Sequence, residues 1–357
     1  YMPKYLSIAE NIEEQIRAQI YLPHQKLPSE KELIDHYQVS RQTIRNALDF
    51  LRNRGLLYSH RGKGTFISEL PETAAVSSNN IAVILNALND YIFPYKIAGI
   101  NSVLTENDYI SNIFTCNYSI DTQEQILRNL LQSTYAGAII EVARGYLPRM
   151  HPQLLKELSK KMPVILIDGH YPELPDLPAV CLDDSRSGYL ATEYLIQKGH
   201  RKIFHFGKMD DIQGILRYRG YIQALLDNSI SPHDDDTFWL TGNDNFIYTE
   251  INYNPVISRL GHYTAAYFYN DLMAQSIVPE ILKRGIRIPE DLSLMSNDDY
   301  SPNVENIALS GIRYPRADVG QKAAQNLLQL IKDPNYDANY LFEPELVEHD
   351  SVREIIL

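Results

Sequence analysis

Cysteine is nearly absent: Cys116 and Cys181 are the only two in 357 residues. Two thiols cannot build a disulfide framework or, between them, a four-ligand zinc site. Both read as buried thiols of a cytoplasmic protein. No apolar run approaches the ~18–20 residues of a membrane-spanning helix, which argues against insertion in a bilayer. No charged-then-apolar leader opens the chain, which argues against export by a standard signal. Tyr1 ahead of Met2 reads as an addition before a natural start. Tryptophan occurs once, at Trp239, and reads as a core residue of its strand. The His-Glu-x-x-His pattern is missing, and the ten histidines lie mostly in polar or turn-like segments. No catalytic residue, metal site or cofactor is therefore expected. Positive charge is also in deficit, with 33 Lys and Arg against 45 Asp and Glu. Taken over the whole chain, a net charge of −12 argues against nucleic acid.

The distribution of charge reverses that reading. Residues 1–70 hold ten basic and eight acidic side chains, a balance of +2, which leaves −14 for the rest. Between 41 and 65 there are six basic residues and one acidic, Asp49. A small basic head on an acidic body is the pattern of a chain that meets a polyanion at one end only.

The run from Pro71 to Asn80 has few large apolar residues and reads as a linker. Before it, Ile8, Ile12, Ile16 and Ile20 recur every four residues, an amphipathic helical stripe. Ser29 and Glu32 have capping-box spacing at the start of a second helix. Ser40 can cap a third, with Ile44, Ala47, Leu48 and Leu51 on its apolar face and Gly55 as its stop. Two short strand-like runs then flank Arg61-Gly62-Lys63-Gly64, a glycine-tipped hairpin. Three helices and a hairpin make a winged helix-turn-helix. Its third helix presents Arg41 and Arg45 on one face, each able to pair bidentately with guanine. Gln42 can read adenine, Thr43 a phosphate or a thymine methyl, and Lys63 can reach phosphate or the minor groove. A phosphate-loop reading of Gly62-Lys63-Gly64-Thr65 fails, because Gly64 stands where that motif needs Ser or Thr.

After the linker, short apolar strands alternate with amphipathic helices. Strands are expected at 81–85, 109–115, 137–141, 164–168, 202–207, 265–269, 292–296 and 309–313, with helices at 94–106, 122–133, 186–198, 213–226 and 317–331. This alternation predicts parallel sheets with right-handed crossovers, and the length of the region predicts two lobes. The acidic doublets Asp183-Asp184, Asp210-Asp211 and Asp298-Asp299 read as helix caps and ligand hydrogen bonders, and the run Asp234-Asp235-Asp236 as a solvated loop.

Two resemblances sharpen the picture. Pro28-Ser29-Glu30, Val39-Ser40-Arg41-Gln42-Thr43-Ile44-Arg45-Asn46-Ala47-Leu48, Gly55-Leu56-Leu57 and Gly62-Lys63-Gly64-Thr65-Phe66 resemble the GntR family of bacterial regulators over residues 2–68. That resemblance implies DNA approach by Glu30 or Lys31, Arg41, Thr43, Arg45, Arg61 and Gly62. Residues 80–350 resemble the LacI/GalR regulators and type I periplasmic sugar-binding proteins. The motifs are Leu182-Asp183-Asp184, Gly199-His200-Arg201-Lys202-Ile203, Arg217-x-x-Gly220-Tyr221, Tyr269-Asn270-Asp271 and Ile288-Pro289-Glu290-Asp291-Leu292. The resemblance implies an effector held between the lobes by Asp168, Arg217, Asn270 and Asp298, with Glu141 adding a carboxylate and Tyr91, Phe93 and Lys96 just after the first strand. Together the two imply an α/β fold: a winged helix-turn-helix at 1–70, a linker at 71–80, and a type I periplasmic-binding-protein-like body at 81–357. Lobe 1 would comprise about 81–182 and 311–335, and lobe 2 about 183–310 and 336–357.

The pairing of these two types, with Asp90-Tyr91-Ile92-Phe93-Pro94 and Phe342-Glu343-Pro344-Glu345-Leu346, resembles regulators of arabinose use. It implies a cytoplasmic homodimeric repressor of a double-stranded DNA operator, released by a sugar, with L-arabinose expected. Alternatives are a repressor or activator answering to another pentose, a hexose or a nucleoside, and an intracellular sugar-binding or sugar-modifying enzyme. Three departures from the pattern stand out. Ser296-Asn297-Asp298-Asp299 replaces the usual Gly-Tyr-Asp-Asp. Pro279 should kink the helix after Asp271. The linker lacks an alanine- and leucine-rich hinge helix, so the wing must supply the grip on DNA.

Overall fold

The computed structural model describes residues 4–17, 20–60, 63–68, 78–88, 92–145, 147, 152–241, 253–300 and 303–356. The chain divides into two compact units, Tyr1–Ser77 and Ser78–Leu357.

In the first unit α1 (Lys4–Arg17), α2 (Glu30–Tyr37) and α3 (Arg41–Asn53) precede a hairpin of β1 (Leu57–His60) and β2 (Gly64–Ile67). The expected capping box is present: the Ser29 N–H donates to the Glu32 carboxylate at 2.7 Å, and the Glu32 N–H donates to Ser29 Oγ at 3.3 Å. Ser40 Oγ accepts from the Thr43 N–H at 3.2 Å, which starts α3. The isoleucine stripe buries Ile8, Ile12 and Ile16 against Leu33, Ile44, Leu48, Leu51 and Ile67. Its fourth member does not follow: Ile20 lies beyond the end of α1 and is 63% exposed. Gly55 takes φ +73 after α3, a left-handed turn that glycine enters without a Cβ penalty. Arg61 and Gly62, at the hairpin tip, lie outside the described residues, as does most of the expected linker.

In the second unit the chain runs β3 (Asn80–Leu85), α4 (Phe93–Glu106), β4 (Ile110–Thr115), α5 (Ile120–Gln132), β5 (Gly137–Glu141), α6 (Gln153–Lys161), β6 (Val164–Ile167) and β7 (Ala179–Leu182). It continues through α7 (Asp184–Gln197), β8 (Ile203–Lys208), α8 (Ile212–Asp227), β9 (Thr237–Leu240), α9 (Asn254–Ile257), β10 (Ala265–Phe268), α10 (Asp271–Lys283) and β11 (Ser293–Asp298). The short strands β12 (Asn303–Val304) and β13 (Ile307–Ala308), then β14 (Ser310–Arg313), α11 (Arg316–Lys332), β15 (Tyr340–Phe342) and β16 (Glu345–Val347) complete it.

Two six-stranded sheets result. The first has order β15-β7-β6-β5-β3-β4 and is parallel throughout. The second has order β16-β14-β11-β10-β8-β9 and is parallel except for β16, which runs antiparallel to β14. The chain passes between lobes three times, after β7, after β14 and between β15 and β16. This corrects the expected lobe limits in two places. Residues 311–313 belong to β14 and hence to lobe 2, and 340–342 form the outer strand of lobe 1. The helix carrying Pro279 runs on to Lys283, so the proline does not end it. Trp239 lies half-buried on β9, its ring edge-on to Tyr218 at 4.8 Å. Cys116 is buried, but Cys181 is half-buried. Asp234–Asp236 form a single turn with Asp234 and Asp235 exposed to solvent, as expected, while Asp236 accepts from Tyr263 and from the His233 N–H.

In each lobe one helix pair crosses at glycine. A Cβ on Gly320 of α11 would lie 2.3 Å from the carbonyl oxygen of Lys96 in α4, and one on Gly188 of α7 would lie 1.9 Å from that of Arg217 in α8. No side chain fits either place, so the backbones that carry Lys96 and Arg217 are held at closest approach.

His205 of β8 is fully buried among Tyr218, Tyr221, Trp239 and Tyr267, and neither ring nitrogen has a hydrogen-bond partner among the described residues. Burial pushes its pKa down to about 3. The folded state then refuses a proton that the unfolded chain accepts near pH 6.5, so the stability tied to His205 is full above that pH and is lost as pH falls toward 3. His205→Phe sacrifices no hydrogen bond and is expected to remove about 2 kcal/mol of the loss between pH 7 and pH 5. Urea titrations at the two pH values check this; an unchanged pH dependence would refute it.

Candidate functional sites

On the first unit, α3 presents Arg41 and Arg45 to solvent, with side chains 68% and 48% exposed. Glu30, the first residue of α2, sits between them: both Nε–H groups donate to its Oε2 at 3.2 Å. Burial alone would raise the Glu30 carboxyl, but the hydrogen bonds and charges of the two guanidinium groups together outweigh it and hold the group below its usual range. The two arginines are thus aligned before any ligand arrives, and the short α2–α3 turn does the aligning. Gln42 is exposed and donates to Asn46 Oδ1 at 2.9 Å. Thr43 Oγ1 lies 2.8 Å from Ser40 Oγ and is half-buried, so its hydroxyl is committed to the helix cap. Lys31 and Lys63 are exposed.

On the second unit, buried charge gathers at the carboxyl ends of the strands, where open α/β sheets bind ligands. Lobe 1 supplies Lys96 from the first turn of α4, Glu141 from the end of β5 and Asp168 just beyond β6. The Lys96 ammonium bridges both carboxylates, and none of the three is more than 5% exposed. Burial alone would lower the Lys96 pKa, but Asp168 and Glu141 outweigh it and hold the group charged. Burial pushes Glu141 up to about 7 against the pull of Lys96. The other Glu141 oxygen accepts from the Asn86 N–H at 2.6 Å. Phe93 is buried, its ring centroid 4.9 Å from Lys96 Nζ, so it walls the cluster.

Lobe 2 repeats the arrangement. Arg217 of α8 donates to Asp184 at 2.7 Å and lies 3.6 Å from Asp298 at the end of β11. Burial would again lower the cation's pKa, and Asp184 and Asp298 more than offset it. Burial pushes Asp184 up to about 6 despite Arg217. Arg217 also donates to the Tyr269 carbonyl at 2.6 Å. Asp168 and Asp298 both have left-handed backbone, φ 60 and φ 92, unusual for a non-glycine residue and typical of sites where the surroundings over-determine the geometry. The Ser296–Asp299 segment works differently from a glycine turn: Asn297 Nδ2 donates to Tyr267, Phe268 and Tyr269 and so fixes the end of β10.

The lobes touch around these clusters. Arg144 of lobe 1 donates to Asp210 of lobe 2 at 2.9 Å, and Lys208 lies 5.0 Å from the Tyr118 ring centroid. Of the expected effector residues, Lys96, Glu141 and Asp168 form one cluster, and Arg217 and Asp298 belong to the other. Tyr91 lies outside the described residues. Asn270 also caps α10: its Oδ1 accepts from the Met273 N–H at 2.9 Å, which leaves its amide nitrogen and the second lone pair of the oxygen for a ligand. The doublets divide likewise. Asp183 caps α7, but Asp184, Asp210, Asp211 and Asp299 are ion-paired to Arg217, Arg144, Lys208 and Arg313 rather than acting as caps. Asp184 is the site residue the sequence reading did not place in the cleft; its doublet was the available signal.

Residues 4–67 match the family described as bacterial regulatory proteins, gntR family, and residues 192–352 match the periplasmic binding protein-like domain. The chain is 30% identical to the arabinose metabolism transcriptional repressor of Geobacillus stearothermophilus, over 99% of each chain. It is 30% identical to the protein of that name from Halalkalibacterium halodurans, over 98% of this chain and 97% of the relative. Among solved structures it is similar in fold to a complex of the transcriptional regulator CelR with cellobiose, with a TM-score of 0.69, 19% identity, and coverage of 88% of this chain and 92% of the other.

Proposed function

Because the chain belongs to the family of arabinose metabolism transcriptional repressors, with a gntR-type head ahead of a periplasmic-binding-protein-like body, we propose that it acts in the cytoplasm as a homodimer on a pseudo-palindromic operator and is released by L-arabinose. Its relatives are transcriptional regulators, and it is a regulator rather than an enzyme.

The observation that carries the effector reading is the pair of buried ion clusters, one per lobe, at the strand carboxyl ends. Every hydroxyl of a neutral sugar both donates and accepts. Lys96 and Arg217 supply donors, Glu141, Asp168 and Asp298 supply acceptors, the Asn270 amide adds a donor, and Phe93 supplies an apolar wall. Tyr91 belongs to the same proposal through its place in the sequence, two residues before Phe93. L-arabinose is favoured over other sugars by the relatives' role in arabinose metabolism. A sugar that prefers one lobe arrangement shifts the equilibrium by that preference and no more. In the dimer, such a shift moves two heads relative to two half-sites and lowers operator affinity.

At the DNA, Arg41, Gln42 and Arg45 face base edges, while Glu30 aligns the arginines. Thr43 meets a phosphate or a thymine methyl, and Lys31 and the wing residues Arg61, Gly62 and Lys63 meet the backbone or the minor groove. Arg45→Ala is expected to weaken operator binding about 5- to 150-fold and to relax base preference at one position. Lys63→Ala should weaken specific and nonspecific DNA alike. Fluorescence anisotropy at physiological salt reads both, and operator binding that survives loss of both Arg41 and Arg45 sinks the assignment. The effector is tested by calorimetric titration with L-arabinose, ribose, xylose and galactose. Heat with arabinose alone supports the proposal. Heat with another sugar reassigns the effector, and silence from all four removes the sugar while the DNA reading stands.

A further inference from the structure

Tyr314 is the first residue past β14 and therefore starts the second passage between lobes. Its chain leaves lobe 2, yet its ring packs in the lobe 1 core with Leu85, Ile100 and Val319. Two bonds make it a bridge. Its N–H donates to the Asp298 carbonyl at 3.3 Å, in lobe 2. Its hydroxyl donates to Asp168 Oδ1, in lobe 1, whose other oxygen is held by Lys96. The same ring lies 5.7 Å from Lys96 Nζ, on the cation's flank.

We propose that Tyr314 is a positioning residue that fixes the Asp168 carboxylate for the effector and makes that fixing depend on the angle between the lobes. The inference rests on the effector reading above. A carboxylate oxygen accepts two hydrogen bonds. With Lys96 on one oxygen and Tyr314 on the other, each keeps one lone pair, and its direction is set rather than free. A sugar hydroxyl then meets a prealigned acceptor and loses less freedom on binding. When the passage at 313–316 bends, the backbone bond to Asp298 in lobe 2 and the hydroxyl bond to Asp168 in lobe 1 cannot both keep their geometry. The hydroxyl must then follow Asp168 or release it. The two carboxylates of the grip are therefore aligned together in one lobe arrangement and not in another, which gives the sugar a preference between arrangements.

Tyr314→Phe keeps the buried ring and removes only the hydroxyl. The expected result is a roughly tenfold weaker sugar affinity by calorimetry and a matching rise in the sugar concentration that releases operator, with operator still bound in the absence of sugar. A role confined to packing would not separate those readouts. A double-mutant cycle with Asp168→Asn sharpens the test. If Tyr314 acts through Asp168, adding Tyr314→Phe to Asp168→Asn costs little more than Asp168→Asn alone. Sugar binding by Tyr314→Phe equal to the parent, or losses that add in full, overturns the proposal while leaving the effector reading intact. A parent chain that binds none of the four sugars overturns both.

Discussion

Lys96→Met is expected to lower folding stability by about 3–5 kcal/mol at pH 8 and to abolish the response to sugar. Lys96 has no exposed surface, and its ammonium compensates two carboxylates that are themselves buried. Methionine fits the volume but strands both charges. Little of either carboxylate faces solvent, so the protein must protonate one, move it or unfold. The deficit should depend on pH in a definite direction. Glu141 already titrates near 7 with Lys96 in place, because burial raises its pKa. Without the ammonium it rises further, so the folded variant takes up a proton that the unfolded chain, with an ordinary carboxyl near 4.5, does not bind until much lower pH. Stability of the variant is therefore expected to recover as pH falls from 8 to about 5.5. Adding Glu141→Gln should produce part of that recovery at pH 8. Urea unfolding at both pH values measures it, and a loss below about 1 kcal/mol at pH 8 would show that the cluster is already open to water.

Gly188→Ala tests the second lobe from its backbone. The added methyl would sit 1.9 Å from the Arg217 carbonyl oxygen, and Gly220, on the facing helix, already lies against the Ser185 carbonyl. Nothing flexible can give way, so α7 and α8 must separate. The expected cost is about 3 kcal/mol or more. The displacement falls on the turn of α8 that carries Arg217, so sugar affinity should drop with stability. Gly261→Ala is the control: a Cβ there meets nothing within 4 Å, and its effect should stay within about 0.5 kcal/mol. If Gly188→Ala matches Gly261→Ala, the helix crossing is looser than the geometry states.

The parts of the molecule that were readable in its sequence are those with local causes. The capping box at Ser29, the Ser40 cap and the apolar face of α3 each depend on residues three or four apart. The strand ending at Glu141 was equally plain, being a bounded run of apolar residues. Strands β7, β15 and β16 are three or four residues long and borrow their stability from neighbours far along the chain, so no periodicity announced them. The same holds within the cleft. Lys96, Glu141, Asp168, Arg217 and Asp298 could be named from motif and strand end. That Asp184 is a counter-ion rather than a cap depends on Arg217, 33 residues away. Tyr314 has no sequence signal at all, because its partner Asp168 is 146 residues distant. The motif at Asn270 fits a grip residue but carries no sign that its oxygen also serves the first turn of α10, which needs an acceptor.

The three passages between lobes also have a consequence for synthesis. The outer strand of the first sheet, Tyr340–Phe342, and that of the second, Glu345–Val347, are made almost together, near the end of the chain. Beyond them, Ser351 bonds to Leu294 and Ile355 to Lys198, strapping the second lobe. At ribosomal speeds of about 5–20 residues per second, the first strand of the body waits on the order of 13–50 s before its sheet gains its last strand. Neither half can be finished and set aside while the other is being made. The nascent body must shelter two open sheets at once, and a message truncated shortly before the codon for Tyr340 would yield a chain with both halves incomplete rather than one sound lobe and one damaged one.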